Sequence, residues 1–308
     1  MKYFVGIDVS KAKLDFAIDN SKLFKGFENN EEGIREAIQW LRSNVNGHVK
    51  IIVESTSWYH WLVCLFLSEE GYDIRLINPI ITRKYQKSSI RDSKNDKIDA
   101  FRLAEIAKLE SKLPKFFDSR ESLKNKRIHT LLSTLENVKQ QFKRSLNDAI
   151  EAFANIGVTI DTKELEEALN SIEIAISTCK KMIEDNSDKL AKRIAELRGI
   201  STFQASVLST AVSGRKFEKR EQLVAFFGLD VKVRQSGNWQ GNSSLSKRGN
   251  PYYRKILFHI GWGLKQNNDI FKKYYDKLRA EGKHYYTAII ATARKFLYYF
   301  FKIYRECV

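Results

Sequence analysis

Over the first eighty residues, short apolar runs of strand length alternate with amphipathic stretches of helix length. That alternation constrains the fold more than any other feature of the chain. Residues 3–9 (YFVGIDV) and 13–19 (KLDFAID) read as strands joined by a tight turn, with 22–28 (KLFKGFE) as a third. Residues 31–45 then place Ile34, Ala37, Ile38 and Leu41 at helical spacing after an Asn-rich start. Residues 48–54 (HVKIIVE) read as a buried strand, and 58–70 as a helix closed by Gly71. Residues 72–78 form another strand, stopped by Asn78-Pro79. A hairpin-rich start followed by αβαβ predicts a mixed sheet flanked by helices.

Further along, the pattern becomes helical. DAFRLAEIAKLE is a strong helix, and Pro114 marks a break. Residues 119–155 and 162–196 read as two long charged helices with apolar residues at three- and four-residue steps, and IGVTID turns between them. This pattern predicts an antiparallel helical hairpin or a coiled-coil dimerisation arm, although no strict heptad runs through it. The remainder reads as helices around a Gly-, Ser- and Asn-rich segment, VKVRQSGNWQGNSSLSKRGNPYYRK, before closing helices near 269–281 and 285–305. The expected division is 1–118, 119–196 and 197–308, with no internal repeat.

Charge narrows the partners. There are 53 Lys and Arg against 37 Asp and Glu, a net +16, which points to a polyanion such as nucleic acid or an acidic membrane surface. A hydrophobic content of 43 % supplies a globular core and excludes a disordered tail. Cys64, Cys179 and Cys307 have no CxxC spacing, so neither a disulfide framework nor a zinc site is readable. No apolar run reaches the length of a membrane span, and MKYFVGIDVSK lacks a signal region. The expectation is a soluble cytoplasmic protein.

Four carboxylates stand out. Asp8 lies inside the first apolar strand, Glu54 ends another, and Asp96 and Asp99 stand three residues apart at a helix start, able to face the same way. A carboxylate within an apolar strand costs energy unless it is paired or binds a cation. Acids converging from strands and helix suit a pair of divalent ions of the kind that serves phosphoryl transfer, Mg2+ or Mn2+ by ligand type. The bland alternatives are a turn residue for Asp8, a helix cap for Asp96 and a solvated strand end for Glu54.

The cations are also patterned. No acid occurs from Val231 to Asn268, a stretch holding Arg234, Lys247, Arg248 and Arg254, nor from Ile74 to Arg91, which holds Arg83, Lys84 and Lys87. Each stretch is a surface that a phosphate backbone can approach without repulsion. Asn250-Pro251 reads as the N-cap and first residue of a helix, so Lys247, Arg248 and Gly249 fall at its phosphate-favouring end. Ser236, beside Gly237 in this setting, is a candidate nucleophile, with Ser243, Ser244 and Ser246 as competitors. His60 reads as packed. Trp58, Tyr59 and Trp61 suit either base stacking or a core.

GIDVSK, VEST after an apolar strand and KNDKIDA before a helix resemble the amino-terminal signature of the DEDD-type insertion-sequence transposases, the family that includes pilin-gene invertases and bridge-RNA-guided recombinases. LRGISTFQASVLSTAV, FEKREQLVAFFGL, QSG and LSKRGNPYYRKIL resemble its C-terminal domain in order and spacing. The resemblance covers nearly the whole chain. It implies a ribonuclease H-like, RuvC-type domain, a coiled-coil linker and a helical domain carrying a nucleophilic serine. Asp8, Glu54, Asp96 and Asp99 would then be the metal-binding tetrad and Ser236 the serine that links to DNA. It further implies donor and target DNA as partners, a structured guide RNA, and homodimers assembling to a homotetramer near the nucleoid of a bacterial or archaeal cell. One departure is Asp230-Val231, where many relatives have a Pro-containing turn.

Two other readings of the same residues stand beside this one. A RuvC-like junction endonuclease would share the acids and need no serine. A non-catalytic nucleic-acid-binding protein would account for the charge alone. An actin-like or sugar-kinase ATPase is excluded by the missing Gly-rich phosphate hairpins.

Overall fold

A computed structural model describes residues 2–55, 57–87, 96–110, 113–232, 235–236, 239–240, 244–246 and 249–307. The chain divides into two units, Met1–Leu123 with Ser213–Lys216, and Lys124–Val212 with Phe217–Val308.

The first unit is built on five strands, β1 (Lys2–Val9), β2 (Lys13–Ile18), β3 (Leu23–Glu28), β4 (His48–Glu54) and β5 (Asp73–Ile77). They lie in the order β3-β2-β1-β4-β5, antiparallel among the first three and parallel from β1 through β4 to β5. Helices α1 (Glu31–Asn44), α2 (Trp61–Glu69), α3 (Pro79–Lys87) and α4 (Asp96–Leu109) complete it. Asn30 caps α1 by accepting the Gly33 N–H at 2.8 Å, with Glu31 and Glu32 in the first turn, where the helix dipole favours them. The mixed sheet is compatible with a ribonuclease H-like domain.

Alternation along the strands sorts the two faces. Val5, Ile7, Phe16, Ile51 and Val53 pack with Ile34, Leu41 and Leu67 of α1 and α2, while Ile52 and Ile77 pack with Leu103 and Ile106 of α4. At Gly6, α4 comes so close that a Cβ would lie 2.1 Å from the Ala100 carbonyl and 2.5 Å from the Ala104 nitrogen. Lys50 of β4 is buried and donates to the Ala107 and Glu110 carbonyls at 2.7 and 2.6 Å, capping the C-terminal end of α4. Burial pulls the Lys50 ammonium below its usual range.

Two details depart from the expectations. Residues 58–60 are turn, and α2 starts at Trp61; Ser57 takes a positive φ of 57° there. Helix α3, which the sequence reading passed over, opens with Pro79 at a helix start, where its missing N–H costs nothing.

In the second unit α5 (Arg120–Asn155) and α6 (Lys163–Asp185) run antiparallel: Lys139 pairs with Glu173 at 2.6 Å, and Lys180 reaches back to Glu136 at 3.7 Å. The expected helix over 162–196 is two helices. Asp188 starts α7 (Lys189–Ala195) by accepting the Ala191 N–H at 2.7 Å, and it also accepts from Ser209 at 2.6 Å. Helices α8 (Thr202–Val212), α9 (Arg220–Phe226), α10 (Pro251–Asn267), α11 (Asp269–Ala280) and α12 (Tyr285–Cys307) enclose a core that includes Leu132, Ile183, Leu208, Phe227, Leu257, Phe296 and Phe300. Asn250 accepts the Tyr252 N–H at 2.9 Å and Pro251 is the first residue of α10, as the sequence predicts.

Between α9 and α10 four two-residue strands form nested hairpins. β6 (Val231–Lys232) pairs with β9 (Ser244–Leu245), and β7 (Gln235–Ser236) pairs with β8 (Trp239–Gln240). All three cysteines are free, with Cys64 and Cys179 buried. Among the described residues no helix is long and apolar enough to cross a membrane.

Candidate functional site

Asp8 and Glu54 end up as neighbours because β1 and β4 are parallel. The registered pair Ile7–Val53 precedes them by one residue in each strand. Alternation turns both toward the face that α4 covers, at the carboxyl ends of the strands, where open α/β sheets place their ligands. Asp96 and Asp99 occupy the first turn of α4. The four acids line one cleft of about 390 Å³ together with Thr82, Arg83 and Arg102.

Charge accumulates at Asp8. Burial, then the neighbouring carboxylates of Asp99, Glu54 and Asp96, push its carboxyl up to about 6, against a partial offset from the Val9 N–H that donates to Oδ1 at 3.0 Å. Two of the other acids are held by local partners. Glu54 accepts from the Thr82 hydroxyl at 2.7 Å, and Asp99 pairs with Arg102 at 2.8 Å. Among the described residues no group of three or more His, Cys, Asp or Glu is gathered closely enough to hold a metal ion. The all-carboxylate donor set and the raised Asp8 still fit a hard divalent cation, because a positive charge in the cleft would relieve the repulsion that Asp8 carries.

Two features here were missed by the sequence reading. Asp15 stands directly opposite Asp8 across the β1–β2 pair, is only 4 % exposed, and is ion-paired to Lys13 at 2.7 Å. Its signal, an acid inside the apolar run KLDFAI, was the same one that singled out Asp8. Thr82 and Arg102, which hold Glu54 and Asp99, carried no such signal.

Ser236 lies on the inner hairpin, paired with Trp239. The base of the outer hairpin is pinned. Asp230 accepts from the Ser246 hydroxyl, its carbonyl accepts the Ser246 N–H at 2.9 Å, and Arg294 of α12 donates twice to the Leu229 carbonyl, at 3.0 and 2.6 Å. Just outside this base, Gly228 (φ +67°) and Gly249 lie so close that a Cβ on Gly228 would fall 2.6 Å from the Gly249 nitrogen. Asp230 is therefore a staple for the arm, and it engages Ser246, one of the competing hydroxyls.

Of the predicted phosphate contacts, Arg83 lines the acidic cleft and Arg254 donates to the Gly249 carbonyl. Lys84 and Lys87 fall within α3, while Arg234, Lys247 and Arg248 lie outside the described residues. His60 is buried, as read from sequence, and Trp58 is exposed, its ring 4.8 Å from that of Tyr59.

Comparison with known proteins decides the family. Residues 5–156 match the DEDD family model described as Transposase, and residues 191–276 match the model of the Transposase IS116/IS110/IS902 family. The chain belongs to the DEDD insertion-sequence transposases of the IS110 group. A pilin gene-inverting protein of Moraxella bovis is 23 % identical over 322 residues, covering 99 % of this chain and 96 % of its own length. A probable family 20 transposase of Pseudomonas aeruginosa is 24 % identical over 222 residues, 63 % of this chain and 64 % of its own. The transposase for insertion sequence element IS1111A of Coxiella burnetii is 23 % identical over 220 residues.

Membership makes this DEDD transposase a DNA-modifying enzyme and DNA its substrate. The first family match contains all four acids of the cleft, and the second contains the whole stapled arm.

Proposed function

We propose that this transposase cuts and rejoins DNA strands of an insertion element through a covalent link between Ser236 and DNA, with Asp8, Glu54, Asp96 and Asp99 serving the phosphate. The observation that carries the reading is the convergence of these four acids, from two strands and a helix, on a single cleft. A RuvC-like endonuclease shares that cleft. What favours the recombinase is the second matched region, with Ser236 on an arm whose sequence holds no acid from Val231 to Asn268.

The exchange balances without ATP. The Ser236 hydroxyl gives up its proton as its oxygen bonds to phosphorus, and the bond from phosphorus to the 3′ oxygen breaks, leaving a 3′ hydroxyl on that strand. The 3′ hydroxyl of the partner strand then attacks the phosphoserine, the serine oxygen leaves and takes back a proton, and a phosphodiester is restored. The number of phosphate ester bonds is unchanged at each step. The four carboxylates would hold Mg2+ or Mn2+, whose charge offsets that of the phosphate. Arg83 lies in the same cleft, suited to the DNA backbone. In the same reading residues 1–118 are the catalytic domain, 119–196 a linker that pairs protomers, and 197–308 the serine-bearing domain. Dimers would join donor and target DNA as a tetramer in the cytoplasm, near the nucleoid. A structured guide RNA is carried by the family resemblance alone.

The test is labelled element-junction DNA, with any RNA encoded beside it, run on a denaturing gel with the protein. A covalent protein–DNA band is expected with the wild type and absent with Ser236→Ala and Asp8→Asn. A band that persists in Ser236→Ala refutes the serine, and cleavage without any band in the wild type favours the junction endonuclease.

A further inference from the structure

Helix α10 carries a stripe that the strand-exchange reading leaves unused. Lys255, His259, Trp262 and Gln266 recur at steps of four, three and four residues, and all are exposed. A helix that turns such a stripe to water usually fills it with small polar or charged side chains; here a tryptophan stands 41 % exposed. Beside the stripe, the start of α12 brings up Tyr286, 61 % exposed. The rings connect. Phe258 lies 5.8 Å from Tyr286 with planes 31° apart, His284 lies 5.7 Å from Tyr286 at 23°, and His259 meets the Phe258 ring at 5.9 Å, edge-on at 77°.

Phe258, Tyr286 and His284 thus form a ladder of near-parallel rings on the surface of the second unit. Phe258 packs on the satellite core of Tyr275, Ala288 and Ile289, and the Tyr286 N–H approaches His284 Nδ1 at 3.4 Å at the head of α12.

We propose that this ladder, together with the exposed Trp262 one turn along α10 from Phe258, is a stacking platform for unpaired nucleobases of a single-stranded nucleic acid. The inference rests on the recombinase reading only for the claim that nucleic acid is present. The chemistry is a repetition of what the rings already do, since a base presents a flat π-face of any sequence to an aromatic partner. Charge favours this occupant over a protein. No acid occurs on α10, Lys283 stands exposed just before His284, and Glu281, three residues before His284, is paired with Lys277 at 3.9 Å. Glu136, which reaches Lys255 at 2.8 Å, is already shared with Lys180.

The experiment uses the full chain, without divalent ions, and fluorescence anisotropy against a labelled 20-nucleotide oligothymidylate and a duplex of equal length. The double variant Trp262→Ala/Tyr286→Ala is expected to lose roughly tenfold or more in affinity for the single strand, the scale of one or two lost base stacks, and to stay within about twofold for the duplex. Trp262→Phe/Tyr286→Phe keeps two π-faces and should bind the single strand nearly as the wild type does. A double alanine variant that melts normally and binds oligothymidylate undiminished overturns the platform. So does a wild type whose mass in solution rises with concentration and falls back in the double variant, because the rings are then an interface between copies. A wild type that forms no covalent DNA band yet binds the oligonucleotide through these rings removes the recombinase reading alone, and the reverse result removes the platform alone.

Discussion

Asp8 is a residue whose folded environment works against its own ionisation. Its carboxyl is pushed from an ordinary 3.8 up to about 6 by burial and by three neighbouring acids. Below a pH of about 4 it is protonated in both folded and unfolded chains. Between about 4 and about 6 the folded chain keeps a proton that the unfolded chain releases, so the native state loses stability as the pH rises through that window and does not regain it above. Asp8→Asn removes this burden. At pH 7 without divalent ions the variant should melt a few degrees above the wild type, and the two should converge near pH 4. Added Mg2+ or Mn2+ should raise the melting temperature of the wild type and leave that of the variant where it was. A variant less stable than the wild type at pH 7 would contradict the account. The same rule, an acid within an apolar strand, made Asp8 legible in the sequence, and it applied equally to Asp15. What the letters did not carry is that Asp15 has Lys13 beside it at 2.7 Å while among the described residues no cation is ion-paired to Asp8, because that difference depends on which side chains the pleat brings to one face.

Among elements, the cleft depends on how closely α4 lies on the sheet. Gly6, two residues before Asp8, lets the helix backbone pass within a distance that no side chain tolerates. Lys50, four residues before Glu54, ties the far end of the same helix to β4. Gly6→Ala should therefore cost about 1–3 kcal/mol through overpacking. It should also lift Asp99 away from Asp8, so that thermal melts of the variant show both a lower midpoint and a smaller response to Mg2+. An unchanged midpoint would mean that the helix is not seated as described. Strands and helices with strong periodicity were readable in advance, including β1, β4, α1 and the N-cap of α10. Helix α3 was not, because its polar face and Pro79 look like a loop until the helix is seen. The break between α6 and α7 was also missed, since Asn186, Ser187 and Asp188 read as ordinary surface residues. The cap that Asp188 gives the Ala191 N–H, held in place by the bond from Ser209, marks that point as a new helix start.

At the scale of the molecule, the residues of the proposed chemistry are divided between the two units. The acids of the cleft belong to one and the arm bearing Ser236 to the other. The basic excess was legible from composition alone, but its use was not. Lys255 is occupied by Glu136 and Arg254 by a carbonyl, while Arg83 lines the acidic cleft.

The arm itself leaves the helical body and returns to it through a closed neck, where Asp230 meets Ser246 and Gly228 abuts Gly249. With its exits fastened, the stretch between them should be exchangeable at little cost to the helices beneath it. A chimaera carrying the corresponding stretch of a distant relative should unfold within a few degrees of the parent by calorimetry, whatever it does to the choice of DNA. Asp230→Ala, which unfastens the neck, should lower the midpoint more than the whole exchange does.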